Sequence, residues 1–349
     1  MAELADAHGS GPCESNFMQV QVLFPAPEQE PLLSSEAKEV PVVFHHTAWY
    51  NCSVEKDMKG NEKNKMRVID TSEEMLAAFH SGHFDLEKWE AYMDACVPNA
   101  KELCLGDMRE CVNAGFSWEK DFLPVLDSVL WDTPGRKEAI ASFHMIADQL
   151  DGKIRNVFHK TVDADLVLYL GLCNGAGWVT TIGGRTTVLL GIEKIMELDW
   201  GGPDAMTGLI VHELGHVYHS QYGTLRIETE SLPDRFLWQL FTEGTAMVFE
   251  QEVLGNKGYF HQYGSDWKEW CDRHAELIKR SFYDDLKSMT NENQRYFGDW
   301  VSFEGHGDTG YYLGALFVRY LLQSAGFDSV IRYDIDEVKK EYENFMHAN

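Results

Sequence analysis

The sequence predicts an α+β protein, mainly helical, with a small sheet directly ahead of one buried helix. Three observations carry this. Apolar residues recur with helical period over much of 67–158 and again from 203 onward, a strand-and-hairpin pattern is confined to 164–190, and helix-start and helix-stop residues flank it. At 349 residues the chain can bury a large core, and 44% hydrophobic with 25% charged residues is an ordinary globular composition.

Residues 1–65 differ from the rest. They show no periodicity and are punctuated by Pro25, Pro27, Pro31 and Pro41, as in a disordered tail. A sharper expectation is that this stretch is a translated upstream transfer-RNA gene. Gln19–Leu23 can be encoded by CAG-GTT-CAA-GTC-CTG, which contains a T-arm sequence, and Pro25–Pro27 by CCC-GCA-CCA, ending in CCA. Met1–Ala7 back-translates to a D-arm-like stretch, and Lys59–Glu62 to a purine-rich ribosome-binding stretch. The start would then be Met66 or Met58, and genomic DNA lacking such a gene over codons 1–27 would exclude it.

A helical lobe is expected over 66–160. Thr71 and Glu74 have capping-box spacing before Met75–Phe79, and amphipathic runs follow at Leu86–Cys96, Trp118–Leu130 and Gly135–Phe158. A second domain is expected over 161–349. Ala164–Leu170 reads as a strand, Asn174–Gly177 as a turn, and Trp178–Ile182 with Thr186–Leu190 as a hairpin around Gly183-Gly184. A strand pair in that position can serve as core or can offer an edge to an extended peptide. Pro203 and Asp204 open the next helix and Gly223 closes it. A second runs from Ser231 and Pro233 to Gly255, and further helices lie around Asp266–Tyr283 and Gly310–Ser324.

The formal charge of −26 repels phosphates and anionic lipid, which excludes nucleic acid and membrane surfaces as expected partners. The seven cysteines form no CxxC pair, no apolar run spans a bilayer, and no signal segment opens the chain as written. A cytoplasmic protein with reduced thiols is the resulting expectation.

The chemistry converges on His212-Glu213-Leu214-Gly215-His216. Histidines four apart on a helix fall within about 40° of each other and roughly 6 Å along the axis, so both can reach one tetrahedral Zn²⁺. Glu213, offset around the helix, addresses the water on that ion rather than the ion itself. At this histidine content an HExxH string arises by chance in roughly one sequence in twenty, so its surroundings must decide. Leu209, Ile210 and Leu214 mark the helix as buried, where uncompensated His and Glu are costly.

A third ligand is expected from Glu243, which sits mid-helix among Leu240, Phe241, Ala246, Met247 and Phe249. Glu250 competes from nearly the same face, although the role of partner to a ligating histidine suits it better. His219 shares the face of His212 but lies about 10 Å along the axis, which suits packing or substrate contact rather than the same ion. Glu228 and Glu230, between the helices, read as solvated.

HELGH followed by Glu243 in a second helix resembles the gluzincin class of metallopeptidases. Asn174–Leu190, Leu209–His219, Phe241–Phe249 and Gly310–Tyr320 together resemble a bacterial family of predicted zinc-dependent proteases, over roughly Arg67 to the C-terminus. The most characteristic pieces are His212–His216, Thr242-Glu243-Gly244 and Gly310-Tyr311-Tyr312-Leu313-Gly314. His216 and Glu243 stand further apart than in the best-known gluzincins. The resemblance implies a zincin-like catalytic lobe and a peptide or protein substrate.

The expected chemistry is peptide hydrolysis by metal-activated water, with Glu213 as general base and a donor for the developing oxyanion. Tyr311, Tyr312 and His306 are the candidates for that donor, and tyrosines at the start of an apolar helix also serve simply as core. The alternatives are a structural or sensory zinc protein without turnover, against which Glu213 argues, and a helical interaction protein without metal.

Overall fold

The computed structural model describes residues 66–261, 265–298 and 301–348, so the expectations for residues 1–65 lie outside the described residues. The first element is a strand, β1 (Arg67–Asp70), where the sequence pattern had suggested only helix. Four residues are too few to establish a period, and the partner strand lies about a hundred residues on. Arg67 Nε donates to Asp165 Oδ1 at 2.6 Å, and Arg185 Nε donates to the same oxygen at 2.9 Å, so one buried carboxylate ties two strands to the one between them.

The helix expected at 71–79 is replaced by a 3₁₀ turn, Met75–Ala78, and a short hairpin of β2 (Phe79–His80) and β3 (His83–Phe84). Thr71 does not cap a helix with its side chain. Its hydroxyl donates to Leu168 O at 2.9 Å and pairs with the Tyr92 hydroxyl at 2.6 Å, which in turn accepts from Leu170 N. A long-range tie thus replaces the local one.

Helix α1 (Leu86–Cys96) is capped by Asp85 and buries Trp89, whose indole donates to Leu170 O. It is followed by α2 (Lys101–Asn113), which the sequence reading passed over. The run expected at 118–130 is divided into a π turn, Trp118–Phe122, and α3 (Leu123–Trp131), which has Pro124 in its first turn. Next comes α4 (Thr133–Phe158), capped by the Asp132 side chain.

The sheet follows, with β4 (Asp165–Tyr169), β5 (Gly177–Ile182) and β6 (Arg185–Gly191) joining β1 in the order β1-β4-β6-β5. β4 is parallel to both β1 and β6, whereas β5 returns antiparallel along the outer side of β6. Every residue of β4 is buried, as a central parallel strand requires.

Beyond the short α5 (Ile192–Glu197) come α6 (Pro203–Tyr222) and α7 (Leu232–Leu254). They are followed by α8 (Ser265–Leu286), α9 (Thr309–Leu321), α10 (Phe327–Val330) and α11 (Ile335–His347). The last is opened by a capping box between Asp334 and Glu337. The whole is α+β and mainly helical.

Among the described residues, two apolar clusters fill the interior. One joins the N-terminal helices, the sheet and one side of α6, through Leu209, Ile210, Leu214 and Val217. The other is built from α7, α8, α9 and α11 around Phe241, Phe282, Phe317 and Tyr342. α7 contributes to both, sending Phe249 and Val253 to the first and Phe236 to Val248 to the second. The contact between α6 and α7 is therefore the seam of the molecule. No helix among the described residues is long and apolar enough to cross a membrane.

Candidate metal centre

The seam holds the HELGH helix because two of its positions carry no obstruction. A Cβ added to Gly215 on α6 would stand 3.0 Å from Ala246 Cα on α7, so both residues must be small for these helices to touch. Two residues before Ala246, a Cβ on Gly244 would meet Gly314 O of α9 at 2.2 Å. Three helix backbones thus pack nearly in contact, and the side chains of α6 and α7 beside those positions are forced into one buried space.

Into that space point His212, His216 and Glu243, which are 4%, 4% and 5% exposed. Nε2 of His212 stands 3.1 Å from Glu243 Oε2, and Nε2 of His216 stands 3.3 Å from the same oxygen. All three donor atoms lie within 4.8 Å of one another. Ligand atoms on a tetrahedral zinc with bonds of about 2.0–2.1 Å stand roughly 3.3 Å apart, which is the spacing between the Glu243 oxygen and each imidazole nitrogen.

Electrostatics agree with a paired cluster. Burial pushes the Glu243 carboxyl up, but the charge and hydrogen bonds of His216 and His212 overcome this and hold it well below the ordinary carboxylate range. Burial lowers His216, yet Glu243 and Glu213 bring it back above its usual value. Removing such groups from water costs several kcal/mol per ion, and a buried ion pair seldom returns that as stability. Apolar residues of similar size would serve a purely structural seam better.

Glu213 is 8% exposed, and burial raises it to about 7. It lies at the start of the edge strand: a Cβ on Gly177, the first residue of β5, would be 2.8 Å from Glu213 Cγ. Strand β5 therefore runs from the site along one side of the sheet, with Trp178, Val179 and Thr180 buried.

Of the three oxyanion candidates, the structure brings Tyr311 to the cluster. Its ring lies 5.8 Å from the His212 ring, and it stands half-buried in the first turn of α9. The contacts of the other two lie elsewhere. Tyr312 is buried, packs against Phe260 and Trp267, and donates its hydroxyl to Asp272 at 2.9 Å. His306 stacks on Trp270 at 3.7 Å, with Nδ1 on Glu304 O. Tyr312 is turned away because adjacent helix positions point about 100° apart and the α7–α9 contact turns Tyr311 inward, whereas His306 lies in the loop before α9.

His219 is fully buried, edge-on to Phe241, and burial lowers it to about 3, consistent with packing rather than ligation. Glu228 and Glu230 are exposed. Glu250 stands behind His212, its Oε2 3.7 Å from His212 Nδ1. It also meets a residue that the sequence did not flag: His261 Nδ1 lies 3.0 and 3.1 Å from the two Glu250 oxygens. His261 follows α7 in a loop, outside any periodic element, and no spacing rule links it to the motif.

No protein-family model, curated protein or solved structure matches this chain in the comparisons made. The functional reading therefore rests on the residues themselves.

Proposed function

We propose that this protein is a zinc-dependent metallopeptidase of gluzincin type, with His212, His216 and Glu243 holding the ion. The observation that carries the reading is the meeting of two imidazole Nε2 atoms and one carboxylate oxygen at 3.1 and 3.3 Å in a buried seam, with Glu213 on the same helix. Zinc bound there would polarise a scissile carbonyl and bring its water to a pKa of about 7.

Glu213 takes a proton from the attacking water and passes it to the leaving amine, which then departs protonated. A carboxyl raised to about 7 by burial is poised for both transfers near neutral pH. Tyr311 donates a hydrogen bond to the carbonyl oxygen as negative charge develops there.

A zinc-binding structural or sensory protein is the second reading, and Glu213 is the feature that disfavours it, since ion binding alone does not require this carboxylate. Cleavage of a mixed peptide library by protein purified without chelator tests the proposal. We expect one zinc per chain, loss of cleavage and a lower Tm when the ion is stripped, and recovery on adding one equivalent. Protein that folds and carries no zinc under these conditions overturns both zinc readings.

A further inference from the structure

We propose that His261 and Glu250 form a buried hydrogen-bonded pair that orients the His212 imidazole, which makes His261 a positioning residue for the metal. The inference rests on the zinc reading above and concerns how the site is held rather than which residues ligate.

An imidazole that ligates through Nε2 carries its proton on Nδ1, and that N–H needs an acceptor. Nδ1 of His212 has no hydrogen-bond partner among the described residues, and Glu250 Oε2 lies 3.7 Å from it. A shift of roughly 0.5–1 Å closes that gap to hydrogen-bond length. Glu250 is placed to accept it because it follows Glu243 by seven residues, two turns of α7, so one helix face serves both nitrogens of the same ring.

A fully buried carboxylate facing His212 would be free to swing if nothing else held it. His261 holds it, donating from Nδ1 between the two oxygens at 3.0 and 3.1 Å. His261 is itself fixed. The Trp200 ring meets it edge-on at 5.2 Å, and it is 8% exposed. Its place is also reserved by α6: a Cβ on Gly208 would come within 2.3 Å of His261 Cβ and 2.8 Å of Glu250 Oε1. Any other residue at Gly208, one turn ahead of His212, would displace the pair.

The same three side chains lie close enough to hold an ion of their own. Beside a zinc held by His212, His216 and Glu243, that reading needs His212 to be deprotonated at both nitrogens and to bridge two ions. It also leaves no role for the His261–Glu250 contact already made. The hydrogen-bonded arrangement asks for neither.

Two substitutions separate orientation from packing. His261→Phe keeps a ring against Trp200 and loses the donor; His261→Asn loses the ring and keeps a donor near the position of Nδ1. Zinc affinity by chelator competition on the full chain is the readout. We expect about a tenfold loss for His261→Phe or more, within the 10–100-fold range of such outer partners, and a smaller loss for His261→Asn. If His261→Phe does not fold, Glu250→Gln probes the same link, with about a tenfold loss expected. One zinc per chain with unchanged affinity in His261→Phe, or in Glu250→Gln where that variant stands in for it, overturns this inference alone. So does a greater loss in His261→Asn than in His261→Phe. Two zinc ions in the unmodified protein, with one lost in His261→Phe, would establish the bridged site instead. No zinc in the unmodified protein removes the inference together with the function it rests on.

Discussion

Gly244 and Gly314 face each other backbone to backbone: a Cβ added to Gly244 would stand 2.2 Å from Gly314 O, and one added to Gly314 would stand 2.9 Å from Gly244 Cα. This contact links the candidate ligand to the candidate oxyanion donor. Glu243 precedes one glycine by a residue, and Tyr311 precedes the other by three, nearly one turn of α9. The distance between the helices thus fixes where the tyrosine stands relative to His212, His216 and Glu243.

Gly314→Ala should push α9 away from α7. Overpacking of this kind costs about 1–3 kcal/mol, and more where backbone must move, as here. Urea unfolding should show that loss, and any folded protein should lose turnover more than zinc. A variant with unaltered stability would mean that the helices are not held this closely.

Tyr311→Phe should lower kcat by about 10²–10³ while leaving zinc content unchanged, as expected for loss of one oxyanion donor. Tyr312→Phe removes the bond to Asp272 and should cost about 1 kcal/mol of stability with turnover preserved. His306→Ala should change neither by much. Steady-state kinetics on the three variants decides this, and a large kcat effect at Tyr312 or His306 would reassign the role.

Much of this centre was legible in the sequence because its signals are local. The His212–His216 spacing is a property of one helix, and Glu243 stands out as a carboxylate within an apolar run. Glu250 could be placed behind a ligand because seven residues along a helix return to nearly the same face. The choice between Tyr311 and Tyr312 could not be made, since it depends on how α9 is rotated by its contact with α7. His261 gave no signal, because only the tertiary path of the loop after α7 returns it to Glu250. β1 was hidden for a related reason: Arg67-Val68-Ile69-Asp70 becomes a strand by pairing with residues 165–168. α2 is a different case, as Cys104, Leu105, Met108 and Cys111 follow a helical period that could have been read.

Glu193 offers a pH test away from the metal. It is fully buried, accepts hydrogen bonds from Gly171 N and Cys173 N, and has Lys194 beside it. Burial outweighs these contacts and raises its carboxyl from 4.5 to about 7. The native state therefore keeps a proton that the unfolded chain releases. The associated stability is complete below about 4.5 and is lost as pH rises through about 7, at up to about 1.4 kcal/mol per pH unit. Glu193→Gln should make the stability of the protein fall less steeply between pH 5 and 7. Denaturation curves of the two proteins that stay parallel across that window would contradict this.

On the proposed function, Glu213 moves protons for a hydrolysis carried out at the His212–His216–Glu243 centre. The direct measurement is peptide hydrolysis by zinc-loaded Glu213→Gln protein beside the unmodified protein, with zinc content determined on both samples. One zinc per chain is expected in each, with a rate reduced by about 10²–10⁴ in the variant. Equal hydrolysis by the two proteins, at equal zinc content, would contradict it.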